Sequence, residues 1–167
     1  MEVLGCFRMP KRMFVLDNNV YYTFVRMSSY LNQFDICRTF LYNLLNQCEN
    51  KVCLNESIEK EFDKFRKNIK TSKHYPSFVF WYQSMNTKHK FRPIMPNTSI
   101  HPNIHDDDVV YFQTADNTDD RIVVTCEENH YNKKEEIKDK FNINILSIEE
   151  ANDLIINYQL EELKFQD

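Results

Sequence analysis

Four acids stand where strands are expected to end or helices to run: Asp17, Glu61, Asp108 and Glu127. Asp17 closes the apolar run Met13-Phe14-Val15-Leu16 and is followed at once by Asn18-Asn19-Val20-Tyr21-Tyr22. That is the pattern of a short buried strand that stops at a carboxylate and turns into a helix. Glu127 follows the β-branched run Ile122-Val123-Val124 through Thr125-Cys126. Asp108 is the last of three successive aspartates, Asp106-Asp107-Asp108, ahead of Val109-Val110-Tyr111-Phe112. One of the three is expected to cap a helix. A cap does not account for three adjacent like charges, which repel unless a cation relieves them; Asp107 is as eligible as Asp108 for that part. Carboxylates gathered in one pocket need a counter-charge, and the hard cations Mg²⁺ or Mn²⁺ with oxygen ligands meet the need. Such ions serve phosphoryl chemistry.

For these acids to meet, the elements must bring them to one end of one sheet. Apolar runs end at Asp17, at Asn55 (Val52 to Leu54), at Thr125 (Ile122 to Val124) and at Ser147 (Ile143 to Leu146), with helix-like stretches between them. Strands alternating with helices give an α/β fold, a three-layer α/β/α sandwich with a central, mostly parallel sheet. Ligands of such sheets bind beyond the carboxyl ends of the strands. Asn55 is expected to cap a helix with the stripe Ile58, Phe62, Phe65 and Ile69, and Glu61 at the stripe's edge is expected to lean toward the core side. Residues 26 to 48 read as a helical pair broken near Asn32 to Asp35. Ser147 and Glu150 form a capping-box pattern for a last helix carrying Ala151, Leu154, Ile155, Tyr158 and Leu163. Asp120, ahead of its strand, belongs at the opposite end of the sheet in a structural role.

Composition narrows the chemistry. A chain of 167 residues suits a single domain spanning 1–167. Its only glycine is Gly5, so glycine-rich phosphate loops and the nucleophile elbow are excluded. Five cysteines (Cys6, Cys37, Cys48, Cys53, Cys126) show no CxxC spacing, and no secretory leader is read, so reduced thiols and a cytoplasmic location are expected. No apolar stretch is long enough for a bilayer. The five histidines show no HExxH; His105 and His130 flank the acidic pocket, where either could touch a phosphate, but an ordinary surface role is expected of each. The net charge of −4 confers no general attraction for nucleic acid, so any polyanion must find a local basic patch. The most basic region includes Lys64, Lys67, Lys88, Lys90 and Arg92, beside Trp81. Charge with stacking faces suits unpaired RNA. Part of it lies in the segment 71–104, rich in proline and aromatics, which reads as an insertion: a short helix near Ser77 to Asn86, then an extended connection.

Taken in order, the strand-terminal Asp17, the helix from Asn55 to Phe65 with Glu61, Asp108 before Val109 to Ala115, and Val124-Thr125-Cys126-Glu127 resemble a PIN-domain nuclease. The resemblance runs from about Met13 to Leu146. It implies a Rossmann-like α/β/α sandwich in which Asp17, Glu61, Asp108 (or Asp107) and Glu127 hold Mg²⁺ or Mn²⁺. The implied activity is metal-dependent endonuclease cleavage of single-stranded RNA to 5′-phosphate and 3′-hydroxyl ends, with Asn18 and Thr125 orienting ligands or water. It further implies a toxin of a toxin–antitoxin pair, with an antitoxin or other protein partner, and a homodimer. The family's usual motif is Thr-x-Asp, so Glu127 is a departure with a longer reach. The alternative is a scaffold without chemistry that binds RNA or protein.

Overall fold

The computed structural model describes residues 12–47 and 49–164, with side chains up to residue 157. Cys6, Cys48 and the side chains of Tyr158 and Leu163 lie outside the described residues. Strands β1 (Met13–Leu16), β2 (Lys51–Leu54), β3 (Phe91–Pro93), β4 (Ile122–Val124) and β5 (Asn144–Leu146) form an all-parallel sheet in the order β3-β2-β1-β4-β5. Around it lie α1 (Asn18–Phe24), α2 (Phe34–Asn46), α3 (Glu56–Asn68), α4 (Tyr75–Thr87), α5 (Val109–Asp116), α6 (Glu128–Tyr131), α7 (Lys134–Phe141) and α8 (Ile148–Lys164). This is a three-layer α/β/α sandwich. The central strands β1 and β4 are buried at every residue, which is why their sequences run apolar without alternation.

The strand order creates the site. From β1 the chain steps outward to β2 and β3, then crosses back to β4 and β5, so its direction reverses between β1 and β4. Leu16 pairs with Val124 there, and the Asp17 N–H donates to the Val124 carbonyl at 3.0 Å. Whatever follows Leu16 and Val124 must therefore share the crevice at the switch point.

The stretch expected to be a helical pair holds, among its described residues 26–47, one α-helix, α2. After α1 come a turn, a 3-10 turn at Leu31–Gln33 and then α2. The break falls early because α1 ends in a Schellman motif: Arg26 N–H donates to the Thr23 carbonyl and Met27 N–H to the Tyr22 carbonyl. Arg26 takes the left-handed position with φ 57°. Glycine usually fills it, but here Arg26, His89, Arg121 and Asn142 occupy such positions.

The segment 71–104 contributes to the core and the sheet. In α4, Phe78, Trp81 and Met85 are fully buried, and β3 closes one sheet edge, where its Pro93 is tolerated. Two residues expected to face RNA are thereby corrected. Trp81 is inaccessible, its Nε1–H donating to the Leu41 carbonyl at 2.8 Å within a cluster that includes Tyr21, Phe24 and Phe78. Lys90 is also buried, its ammonium held by the carbonyls of Gln47 and Asn50. Lys67, Lys88 and Arg92 are exposed, as is Lys64, which pairs with Glu61.

Asp120 accepts from the Met13 N–H at 2.7 Å and stays at the strand-start end, as expected. The last helix opens as its sequence indicates: Ser147 N–H donates to Glu150 Oε2 at 3.0 Å and Glu150 N–H to Ser147 Oγ at 3.1 Å. Partial burial disfavours the Glu150 carboxylate, but the Ser147 N–H, the Tyr131 hydroxyl and Lys134 outweigh it and hold its pKa below the usual value. A depressed carboxylate stabilises the fold above its unfolded pKa and loses that effect as pH falls through its folded value. Glu150→Ala should therefore cost about 1 kcal/mol at neutral pH. The difference from the parent should shrink below about pH 4, which urea unfolding at both pH values will test.

Candidate metal centre

Asp17, only 4% exposed, caps α1 from the end of β1, its side chain accepting from the Asn19 N–H at 3.4 Å. Burying a carboxylate is costly without partners, and it has several. Thr125 Oγ1–H donates to Asp17 Oδ2 at 2.9 Å and Asn19 Nδ2–H to the same oxygen at 2.7 Å. Thr125 Oγ1 in turn accepts from the Glu127 N–H at 2.9 Å and lies 3.2 Å from Asn19 Nδ2. Asn19 Oδ1 accepts from the Cys126 N–H at 2.9 Å. Asn19 and Thr125 thus tie the end of β1 to the loop after β4. Of the two residues expected to orient ligands or water, Thr125 hydrogen-bonds Asp17, and a further side-chain donor to Asp17 is Asn19.

Asn19→Ala would leave the Cys126 N–H and part of Asp17 without partners. We expect a stability loss of about 1–3 kcal/mol and Mn²⁺ binding weaker by about 10–100-fold. Unfolding curves and Mn²⁺ titration measure both; unchanged Mn²⁺ affinity would remove Asn19 from this role.

At the centre is His130, 3% exposed and one helical turn beyond Glu127. Its Nδ1 lies 3.2 Å from Asp17 Oδ2 and 3.8 Å from Glu127 Oε2, and its Nε2 lies 3.2 Å from Asp108 Oδ2. The expectation of a surface histidine is corrected. Burial disfavours the imidazolium, but the bonds to Asp108 and Asp17 and the charges of Asp17 and Glu127 outweigh it and raise the pKa to about 10. With a carboxylate on each ring nitrogen, the ring carries two protons and one positive charge among three acids. Tyr111, also missed in the sequence, is buried beside the cluster; burial first, then the charges of Asp17 and Asp108, push its phenol upward.

The structure gathers Asp17, Asp108 and Glu127 around His130 and leaves two expected acids outside. Glu61 does not lean inward: it is half exposed, and its carboxylate accepts from Lys64 Nζ at 2.5 Å. The i,i+3 spacing to a flexible lysine on the solvent side decides this. Asp107 is exposed, its carboxylate 3.7 Å from His105 Nδ1. The turn Asp106–Asp108 is capped by His105, whose Nδ1 accepts from the Asp107 N–H at 3.3 Å; no aspartate caps α5 through its side chain.

Asp17, Glu127 and His130 offer ligand atoms all within 4.8 Å of one another. The two carboxylates suit Mg²⁺ or Mn²⁺, and the imidazole nitrogen could join them on Mn²⁺ only after the ring gives up a proton. Cys126 adds no soft ligand, because burial first, against the Thr23 bond, pushes its thiol up to about 12 and keeps it protonated. A cleft of about 500 Å³ opens over the cluster, lined by Asp108, Glu127, His130, Asn129, His105 and Lys133 among others. Among the described residues, no helix is long and apolar enough to cross a membrane. No family model, curated protein or solved structure matches this chain.

Proposed function

We propose that the protein is a metal-dependent endoribonuclease acting on single-stranded RNA. The observation that carries the reading is the convergence of Asp17, Glu127 and Asp108 at the switch point of a parallel sheet, with ligand atoms of Asp17, Glu127 and His130 within 4.8 Å. The RNA substrate comes from the resemblance carried by the ordered acids. Asp17 and Glu127 would hold Mn²⁺ or Mg²⁺, with Asp108 adding negative charge. An ion held there would supply the positive charge that phosphodiester hydrolysis needs. Asn19 and Thr125 keep Asp17 aimed. Glu127 has the most accessible side chain of the three acids, at 31% exposure, and is the acceptor for the water's proton. The new P–O bond is to water, the bond to the 3′ oxygen breaks, and that oxygen takes a proton from solvent, leaving a 5′-phosphate and a 3′-hydroxyl.

A second reading is favoured by His130 itself. An imidazolium already placed among three acids relieves their repulsion, which permits a scaffold that binds RNA or protein without cleaving it. Incubating a labelled single-stranded RNA pool with Mn²⁺ or with EDTA tests the first reading. Cleavage in Mn²⁺ that EDTA stops supports the nuclease; intact RNA in both, with binding retained, supports the scaffold.

A further inference from the structure

Away from the acid cluster, positive charge collects around one aromatic ring. Phe34 opens α2, and the Arg26 guanidinium lies 4.1 Å from its ring centroid. Arg38, one turn further along α2, lies 5.5 Å from the same centroid and 6.0 Å from that of Tyr42. The His74 ring packs on Phe34 with centroids 5.0 Å apart, and Lys73 precedes His74 in the chain. Among the described residues, no carboxylate lies within ion-pair distance of Arg26, Arg38 or Lys73. Asp35, in the first turn of α2, is exposed and makes no such pair. An aromatic face relieves a guanidinium only in part. In a chain of net charge −4, this concentration of cations is a local anomaly, with the one acid Asp35 lining the same cleft as Arg38.

Two further features are compatible with an anion at this place. His74 Nε2 is buried and has no hydrogen-bond partner, and such an atom costs stability until it finds one. His74 is also the N-cap of α4 and Gln33 that of α2, and neither helix has a side-chain cap bond. The Phe34–His74 contact brings these two helix starts together, and helix starts favour negative charge. The adjoining loop adds apolar faces: Met27 and Leu31 are 42% and 55% exposed, next to Arg26 in the one case and close to Phe34 in the other. A phosphate beside an apolar face is what a nucleotide presents. The same loop reaches the acid cluster. Thr23 Oγ1 lies 3.4 Å from Cys126 Sγ and 2.9 Å from Ser28 Oγ, and Ser28 Oγ accepts from the Tyr30 N–H at 3.1 Å.

We propose that Arg26, Arg38, Lys73 and His74 form a phosphate-binding site that holds a backbone phosphodiester of single-stranded RNA away from the bond being cleaved. The choice of RNA rests on the nuclease reading; the phosphate chemistry does not. In this arrangement the guanidiniums and Lys73 bind the phosphate oxygens, and the His74 ring, packed on Phe34, lies beside them. The loop from Val25 to Gln33 then carries the strand between this site and the acid cluster.

The test is NMR of the full chain with labelled histidines, in EDTA so that RNA stays intact. Inorganic phosphate is titrated in one arm and a 12-nucleotide single-stranded RNA in the other. The expected result is a saturable shift of the His74 ring signals in both arms, tighter for RNA. Arg26→Gln/Arg38→Gln should bind RNA about 10-fold or more weakly, with His130 signals and thermal unfolding unchanged as the control on folding. His74 signals that ignore both ligands overturn the proposal, as does a double variant that binds like the parent. A shift with phosphate but none with RNA also overturns it and leaves a site for free phosphate. If RNA cleavage is never seen while the RNA arm behaves as expected, the nuclease reading has failed and this site stands.

Discussion

Asp17→Asn is expected to remove metal-dependent RNA cleavage by about 10³-fold or more while leaving the fold in place. The amide oxygen can still accept from Thr125 Oγ1 and Asn19 Nδ2, the bonds that hold this side chain between β1 and β4. What it loses is the negative charge that a divalent ion requires. A second readout does not depend on activity. Mn²⁺ at about 100 times its Kd should stabilise the parent protein by about 2.7 kcal/mol, a rise of about 5–10 °C in Tm for a chain of this size. In Asp17→Asn that rise should shrink to a degree or so, about what nonspecific binding would give. A full rise in the variant would place the ion elsewhere on the molecule, and cleavage surviving alongside it would end the assignment of this cluster as the catalytic centre. Loss of cleavage with the Mn²⁺ effect intact would separate binding from chemistry and shift attention to Glu127.

The fold was legible because its signals are local. Uninterrupted apolar runs ending at Asp17 and Thr125 mark strands buried on both faces, and the Ser147–Glu150 box marks a helix start by its own hydrogen bonds. Strand β3 was not, since Phe91–Pro93 is a short edge strand containing proline, and its place depends on pairing with β2 rather than on its own residues. The site divides in the same way. Asp17, Thr125 and Glu127 are set by the ends of two adjacent strands, so their meeting follows from topology. Glu61 depended on the rotation of a helix at the margin of its apolar stripe, where Lys64 one turn away supplied an easier partner. His130 and Asn19 carried weak signals: a histidine three residues after Glu127, and an asparagine two residues after Asp17. The first spacing returns His130 to the face of Glu127 and the second places Asn19 in the turn that Asp17 caps, but only neighbours distant in sequence show that either is buried. Trp81 and Lys90 show the converse error, since an aromatic or a lysine reads as a nucleic-acid contact until the core is known to need it.

His130→Gln should be destabilising in EDTA by a few kcal/mol, near the cost of breaking a buried ion pair. The substitution keeps a polar side chain of similar size but removes the positive charge, so Asp17, Asp108 and Glu127 are left facing one another at distances that His130 now spans with 3.2, 3.2 and 3.8 Å contacts. A thermal scan in EDTA should show a fall of about 5–15 °C. Adding Asp108→Asn should recover part of it, because one like charge is then gone and the two effects are coupled through the same ring. No fall in EDTA would mean that the acids are compensated by something other than this imidazole. Mn²⁺ then distinguishes what His130 does. If the ring is a ligand, the variant gains less from Mn²⁺ than the parent does. If the ring is the resident cation of an ion-free cluster, the variant gains more, since the ion supplies a charge the site lacks. The two carboxylates held on its two nitrogens favour the larger gain: the ring that answers the acids when no metal is present is the one that a metal must compete with.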